Sequence, residues 1–170
     1  MILAFDTYYF DNKARTICLA FDNWGNDQQY EMYIEELEGI ADYEPGAFYK
    51  RELPCILSLL DKIDKANTIE AIIVDGFVWL DDDGKPGLGA HLYHALHAQV
   101  PVIGVAKTNF ATIEKNKHEL LRGGSNRPLY ITAVGVALTE ATERIKNMSG
   151  EHRIPALLKK LDGLTKENNA

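Results

Sequence analysis

Ala71-Ile72-Ile73-Val74-Asp75-Gly76 is a run of four apolar residues closed by an acid and a glycine. No polar residue alternates within it, so it reads as a strand buried on both faces, the kind a parallel sheet places at its centre. The chain opens on a second run of the same design, Ile2-Leu3-Ala4-Phe5, which also stops at an acid, Asp6. In open α/β sheets, ligands gather beyond the carboxyl ends of strands. If the two strands are parallel neighbours, both carboxylates face one crevice. Two close, poorly solvated carboxylates repel, and one takes up a proton unless a cation neutralises them. Magnesium or manganese, with their preference for hard oxygen ligands, would do so. Read singly, an aspartate at a strand end is more often a turn former or a helix cap.

Outward from these two runs the pattern alternates. Ile2–Tyr9, Arg15–Phe21 and Gln29–Ile34 are β-rich and joined by short polar links containing Asp11-Asn12 and Asn23, Gly25 and Asn26, which predicts an antiparallel meander. Pro45-Gly46 fits the centre of a type II turn. Leu53, Ile56, Leu57, Leu60 and Ile63 recur at helical spacing, and Pro54 predicts that the regular helix starts close to Leu53. Gly87–Ala98 reads as a helix, Val100–Val105 and Leu129–Val136 as strands, and Leu138–Met148 and Ile154–Leu161 as the last helices. A meander followed by alternating helices and strands predicts an α/β fold with a mixed sheet flanked by helices. The 170 residues suit one domain, 1–170, with no linker or repeat.

Composition narrows the class. Hydrophobic residues make up 46% and charged residues 25%, as in ordinary water-soluble domains. The apolar opening is too short for a signal peptide and no stretch has membrane-spanning length, so a cytoplasmic location without membrane contact is expected. Cys18 and Cys55 lack metal-ligand spacing and read as buried, reduced thiols. A net charge of −7 argues against strong nonspecific binding to nucleic acid. Its distribution softens that: residues 1–83 carry 18 acidic and 6 basic side chains, residues 84–170 carry 7 and 12. The asymmetry leaves room for a basic face beside an acidic, metal-loaded centre.

Two more residues join the candidates. Glu52 stands just before Pro54, where free helix amides favour negative charge, and shares a stripe with Ile56, Leu59 and Ile63; an exposed first-turn glutamate is the competing reading. Lys107 ends the strand Val102-Ile103-Gly104-Val105-Ala106 and is suited to hold a phosphate, a solvated strand end being the alternative. Asp81, Asp82 and Asp83 with Gly84 read as a solvated turn, since the EF-hand alternation is absent. His91, His94 and His97 read as half-buried helix residues beside Leu92 and Leu96 before a metal site, and Trp79 as a hydrophobic plug before a base-stacking group.

At this point several stretches become familiar. Tyr43-Glu44-Pro45-Gly46 followed by Lys50-Arg51-Glu52-Leu53-Pro54 resembles the endonuclease V segment running from a tyrosine–proline–glycine turn into Arg-Glu-x-Pro. Val74-Asp75-Gly76, Gly87-Leu88-Gly89-Ala90-His91-Leu92 and Pro101-Val102-Ile103-Gly104-Val105-Ala106-Lys107 resemble that family's next motifs, in order. Pro128-Leu129-Tyr130-Ile131 and Arg153-Ile154-Pro155 are weaker echoes. The resemblance implies a ribonuclease H-like fold and magnesium-dependent cleavage (manganese as a substitute) near deaminated purines, chiefly inosine, in DNA or RNA, with a place in DNA repair. It implies that Asp6, Glu52 and Asp75 form the acidic metal site, that Lys107 is the active-site lysine, and that Tyr43 is the wedge beside the lesion. Gly46, Arg51 and Gly76 would contact substrate.

The chain also departs from the family pattern. The sequence opens almost at its first strand, so the family's usual N-terminal extension is expected to be lacking, and Glu44 stands in the wedge turn where the family has an apolar residue. Where the family has histidines and a basic loop after Asp-Gly, this chain has Phe77-Val78-Trp79-Leu80-Asp81-Asp82-Asp83. The family's later active-site histidine falls, on sequence, at Val136, which neither ligates nor transfers protons. These departures keep two rivals open: an offshoot with the same acids and a different nucleotide or nucleic-acid substrate, and a binding protein that has lost catalysis.

Overall fold

The computed structural model describes residues 1–40, 42, 44–45, 47–64, 68–110 and 112–167. Its described strands are β1 (Ile2–Phe10), β2 (Lys13–Phe21), β3 (Glu31–Glu38), β4 (Ala71–Asp75), β5 (Val102–Ala106), β6 (His118–Leu120) and β7 (Leu129–Val134). The helices are α1 (Tyr49–Lys62), α2 (Leu88–Ala95), α3 (Leu138–Lys146) and α4 (Ala156–Lys166). One mixed sheet runs in the order β3-β2-β1-β4-β5-β7-β6.

The meander forms as the polar links predict. Asp11 and Asn12 both take positive φ, 46° and 62°, the backbone that a two-residue hairpin needs and that these residue types tolerate. β1 then pairs antiparallel with β2 from Ile2↔Phe21 to Phe10↔Lys13. On its other side β1 pairs with β4 in parallel, and β4 with β5 likewise. β7 and β6 complete the sheet antiparallel.

Alternation along β1 divides the core between the two faces. Ile2 and Ala4 pack with Ile145, Leu157 and Leu161 under α3 and α4, while Leu3 and Phe5 pack with Ile56, Leu59 and Leu92 under α1 and α2. The central strands are apolar on both sides because both sides are covered. Cys18 and Cys55 are free and buried among these side chains, as expected, and burial raises both thiols.

Several boundaries differ from the sequence reading, for physical reasons. α1 starts at Tyr49, four residues before the expected Leu53, with Pro54 inside it. The ring costs one helical donor, whose partner would be the Lys50 carbonyl in the first turn, and the buried stripe Glu52, Cys55, Ile56 and Leu59 outweighs that loss. α4 continues past Leu161 to Lys166, through Gly163. Its far end is anchored: Thr165 is fully buried, and Arg15 donates to the carbonyls of Thr165 and Glu167. β3 lies at Glu31–Glu38 rather than Gln29–Ile34, and β6 was not foreseen. No described helix is long and apolar enough to cross a membrane.

Candidate active site

The parallel register of β1 and β4, with Phe5 opposite Val74, brings the next residues, Asp6 and Asp75, side by side. Ile2 and Ala4, and Ala71 and Ile73, face α4, so the alternation points Asp6 and Asp75 to that side as well. Glycine makes the turn behind them possible. Gly76 leaves β4 at φ 125°, and the chain from Gly76 to Val78 crosses so close to Gly104 that a side chain there would meet the Gly76 carbonyl at 2.5 Å. The Asp-Gly and Ile-Gly-Val pieces of the sequence thus form one packed unit.

The electrostatics are those of an acid cluster short of cations. Asp6 accepts a hydrogen bond from the Thr7 amide at 2.9 Å, yet burial and the neighbouring Asp75 charge push its carboxyl up to about 7. Asp75 is reached by solvent but walled by protein on most sides; this partial loss of water raises it, against the pull of Lys107. Glu52 arrives from the opposite face on α1, 6% exposed. Burial pushes it up to about 8; the hydroxyls of Tyr9 and Thr7 oppose this and the charges of Asp6 and Asp75 add to it. The Tyr9 hydroxyl is buried without a well-formed hydrogen-bond partner and is itself raised, chiefly by burial and then by Glu52.

Asp6 and Asp75 line two cavities at once. One, of about 190 Å³ on the α1 side, also takes in Glu52, Thr7, Tyr9 and Phe48. The other, a crevice of about 30 Å³ on the α4 side, includes Lys107 and Asp162. Asp162 is the residue that sequence reading missed. Its carboxylate lies 3.7 Å from the Lys107 ammonium and 2.9 Å from that of Lys166, and its charge raises both Asp6 and Asp75. The signal was an acid four residues after Leu158 and three before Thr165, on the inward stripe of α4.

Val136 does not occupy the place assigned to it. β7 runs antiparallel to β5, pairing Tyr130 with Ala106 and Val134 with Val102. Residues after Val134 therefore emerge at the end of the sheet away from Lys107, and Val136 packs against the core there. A histidine at that position would not reach the carboxylates. The acidic loop also has a structural explanation. Asp82 accepts the amides of Glu114, Lys115 and Asn116 at 2.8–3.2 Å, and Asp81 accepts those of Asp83 and Lys85. Trp79 donates to the Ala133 carbonyl and packs into the α1-side core, the plug expected of it.

The remaining candidates fall around this centre. Gly76 adjoins Asp75. Arg51 turns away from the carboxylate cavity, its guanidinium 3.5 Å above the Tyr9 ring. Tyr43 and Gly46 lie outside the described residues, but the turn expected around Pro45 is closed by the Ala47 amide, which donates to the Glu44 carbonyl at 3.0 Å. His91 stacks on Tyr49 at 3.6 Å between centroids; His94 and His97 are exposed rather than half-buried.

Does this donor set suit a cation? Among the described residues no group of three or more His, Cys, Asp or Glu side chains is placed to hold a metal ion, so Asp6, Glu52 and Asp75 do not form a three-acid site as they stand. The donors that do converge are hard carboxylate oxygens in an open, water-accessible cleft. That suits a divalent ion such as magnesium, which keeps several waters and borrows substrate phosphate, and not a structural zinc.

Comparison with known proteins places the fold and the family. The endonuclease V family model matches residues 1–149. Among solved structures, endonuclease V from Streptomyces avermitilis superposes with a TM-score of 0.76 at 22% identity, covering 97% of this chain and 79% of that one. Human ENDOV gives 0.72 at 20%, covering 97% and 82%. Ciona intestinalis endonuclease V, in complex with a 24mer DNA containing an inosine followed by a ribo-adenosine, gives 0.79 at 16%, covering 97% and 84%. No curated protein sequence matches the chain. The expected ribonuclease H-like fold is thus the fold these structures share, and with most of its length matched this chain belongs to the endonuclease V family.

Proposed function

We propose that the chain is a divalent-metal-dependent endonuclease that hydrolyses a phosphodiester near a deaminated base, chiefly inosine, in DNA or RNA. The observation that carries this is the side-by-side pair Asp6 and Asp75 at the carboxyl end of β1 and β4, flanked by Glu52 and Asp162. Carboxylates this close repel one another unless protons or a cation offset them, which favours a metal-loaded centre.

Asp6 and Asp75 would hold the cation, magnesium or manganese, with Glu52 and Asp162 at its two sides. When bound there, the cation supplies charge neutralisation at the phosphoryl oxygens and makes water more acidic. Lys107, fixed beside Asp162, offsets negative charge on the phosphate. In the metal-free protein burial keeps Glu52 protonated near neutrality; beside a divalent cation the carboxylate would be favoured, and it could then take the proton of water as one P–O bond forms and the other breaks. Phe48 and Tyr9 wall the cavity and limit competing water.

The test is cleavage of single strands carrying one inosine, followed by a deoxy- or a ribonucleotide, against matched plain strands, with magnesium, manganese or chelator. Metal-dependent cutting confined to the inosine strands and lost in Asp75→Asn is expected. Cutting that survives chelation or Asp75→Asn overturns the reading. Equal cutting of plain strands replaces it with that of a general nuclease.

A further inference from the structure

β1 does not stop at its acid. After Asp6 it runs on through Thr7, Tyr8, Tyr9 and Phe10, beyond the last residue paired with β4, and only β2 accompanies it there. Alternation puts Tyr8 on the same face as Asp6, and a two-residue step along a strand is about 7 Å, comparable to one extended nucleotide. Tyr8 is 39% exposed.

An exposed tyrosine is ordinary, but this one is braced. It stacks on Phe10, with 6.0 Å between centroids and 18° between planes. Phe10 lies under the Arg15 guanidinium at 4.9 Å. Arg15 is the cross-strand partner of Tyr8, only 7% exposed, held by Glu36 at 2.8 Å and by carbonyls at the end of α4. Tyr8 remains partly open to solvent while its contact with Phe10 steadies it, so less side-chain freedom is left to lose on stacking. Lys166 stands close enough to act on both Asp6 and Tyr8, which brings positive charge to the interval between them.

We propose that Tyr8, backed by Phe10, seats one unpaired base of the strand that the carboxylate centre cuts, one nucleotide away from the scissile phosphate, with Lys166 beside the connecting phosphate. This rests on the nucleic-acid reading of the site and extends it. Stacking accepts any base, because every base has a π-face. The seat therefore fixes the register of the strand and leaves the identity of the deaminated base to be read elsewhere.

The test uses single-stranded oligonucleotides with one deoxyinosine and 2-aminopurine walked through the flanking positions on both sides. Affinity and fluorescence are read in calcium, cleavage in magnesium. Wild type should quench 2-aminopurine by stacking at one flanking position. Tyr8→Ala should abolish that quench and weaken binding by about 5- to 150-fold, raising KM more than it lowers kcat. Tyr8→Phe should keep both, since the ring and not the hydroxyl does the holding. On a strand truncated to lack the seated nucleotide, wild type and Tyr8→Ala should behave alike. Wild-type binding and cleavage that Tyr8→Ala leaves unchanged overturns the seat alone. If wild type neither binds nor cuts any inosine strand, the seat and the function proposed above fall together.

Discussion

Glu52 and Asp162 flank the same pair of aspartates from opposite faces of the sheet, and their surroundings drive them in opposite directions. Glu52 is buried on the inner side of α1 near Tyr9, Phe48 and Ile56, and burial pushes it up to about 8. Asp162 is partly open on α4. Burial raises it too, but the Lys166 hydrogen bond and the charges of Lys107 and Lys166 outweigh this and hold it below the usual carboxylate range. Two carboxyls beside one centre therefore carry different charge at neutral pH, which is how a site separates a proton carrier from a fixed negative charge.

The shared pair itself gives the largest expected effect. Asp75→Asn replaces a charged oxygen donor by a neutral amide. It should lower inosine-strand cleavage by more than the ~10- to 100-fold that a group behind a metal ligand costs. Residual cleavage close to wild type would remove the pair from the account.

The flanking acids should then separate. Glu52→Gln keeps the size of the buried group and removes its proton exchange, a loss worth about 100- to 10,000-fold in rate. Asp162→Asn releases Lys107 and Lys166 and should cost about 10- to 100-fold, with much of the loss in apparent metal affinity. Equal losses that extra manganese restores equally would erase the distinction between the two sides.

A smaller effect is expected in folding stability. Asp6 and Glu52 hold their protons more tightly folded than unfolded. The unfolded chain loses those protons first as pH rises. The stability they contribute is thus fully present below the ordinary carboxylate pKa, and it drains away as pH climbs through about 7 to 8. The Tm of metal-free protein should fall over this window, Glu52→Gln should flatten the upper part, and saturating magnesium should restore the loss. A flat Tm profile in chelator would show that the buried acids are matched by groups the account omits. Smallest of all, Val136→His should leave cleavage unchanged, since that position lies at the far end of the sheet. A clear gain would mean that β7 is wrongly placed.

What could be read in the sequence follows the same division. Asp6, Asp75 and the β1–β4 pairing were legible because each acid closes an uninterrupted apolar run, and Glu52 because a helical stripe extends back to it. Asp162 was not, because the helix reading stopped at Leu161. Gly163 interrupts the pattern there, and the contacts that hold the last turn, Arg15 with Thr165 and Glu167, come from residues about 150 positions away. Assigning the family's histidine to Val136 failed for a related reason: strand direction depends on pairing partners, and nothing local to Leu129–Val134 shows that it runs antiparallel to β5. The acids at Asp81–Asp83 looked like a lost basic loop, whereas the amide bonds to Asp82 show a loop folded around its own carboxylate.

The central claim is that Asp6 and Asp75 form one open cation site. Calorimetric titration of manganese into chelator-treated protein, without substrate, tests it most directly, run on wild type, Asp75→Asn and Val136→His. The account predicts weak binding to wild type and to Val136→His, because an open carboxylate site lacks the ligands that substrate phosphate would add, and no binding to Asp75→Asn. A titration that Asp75→Asn leaves unaltered would contradict it.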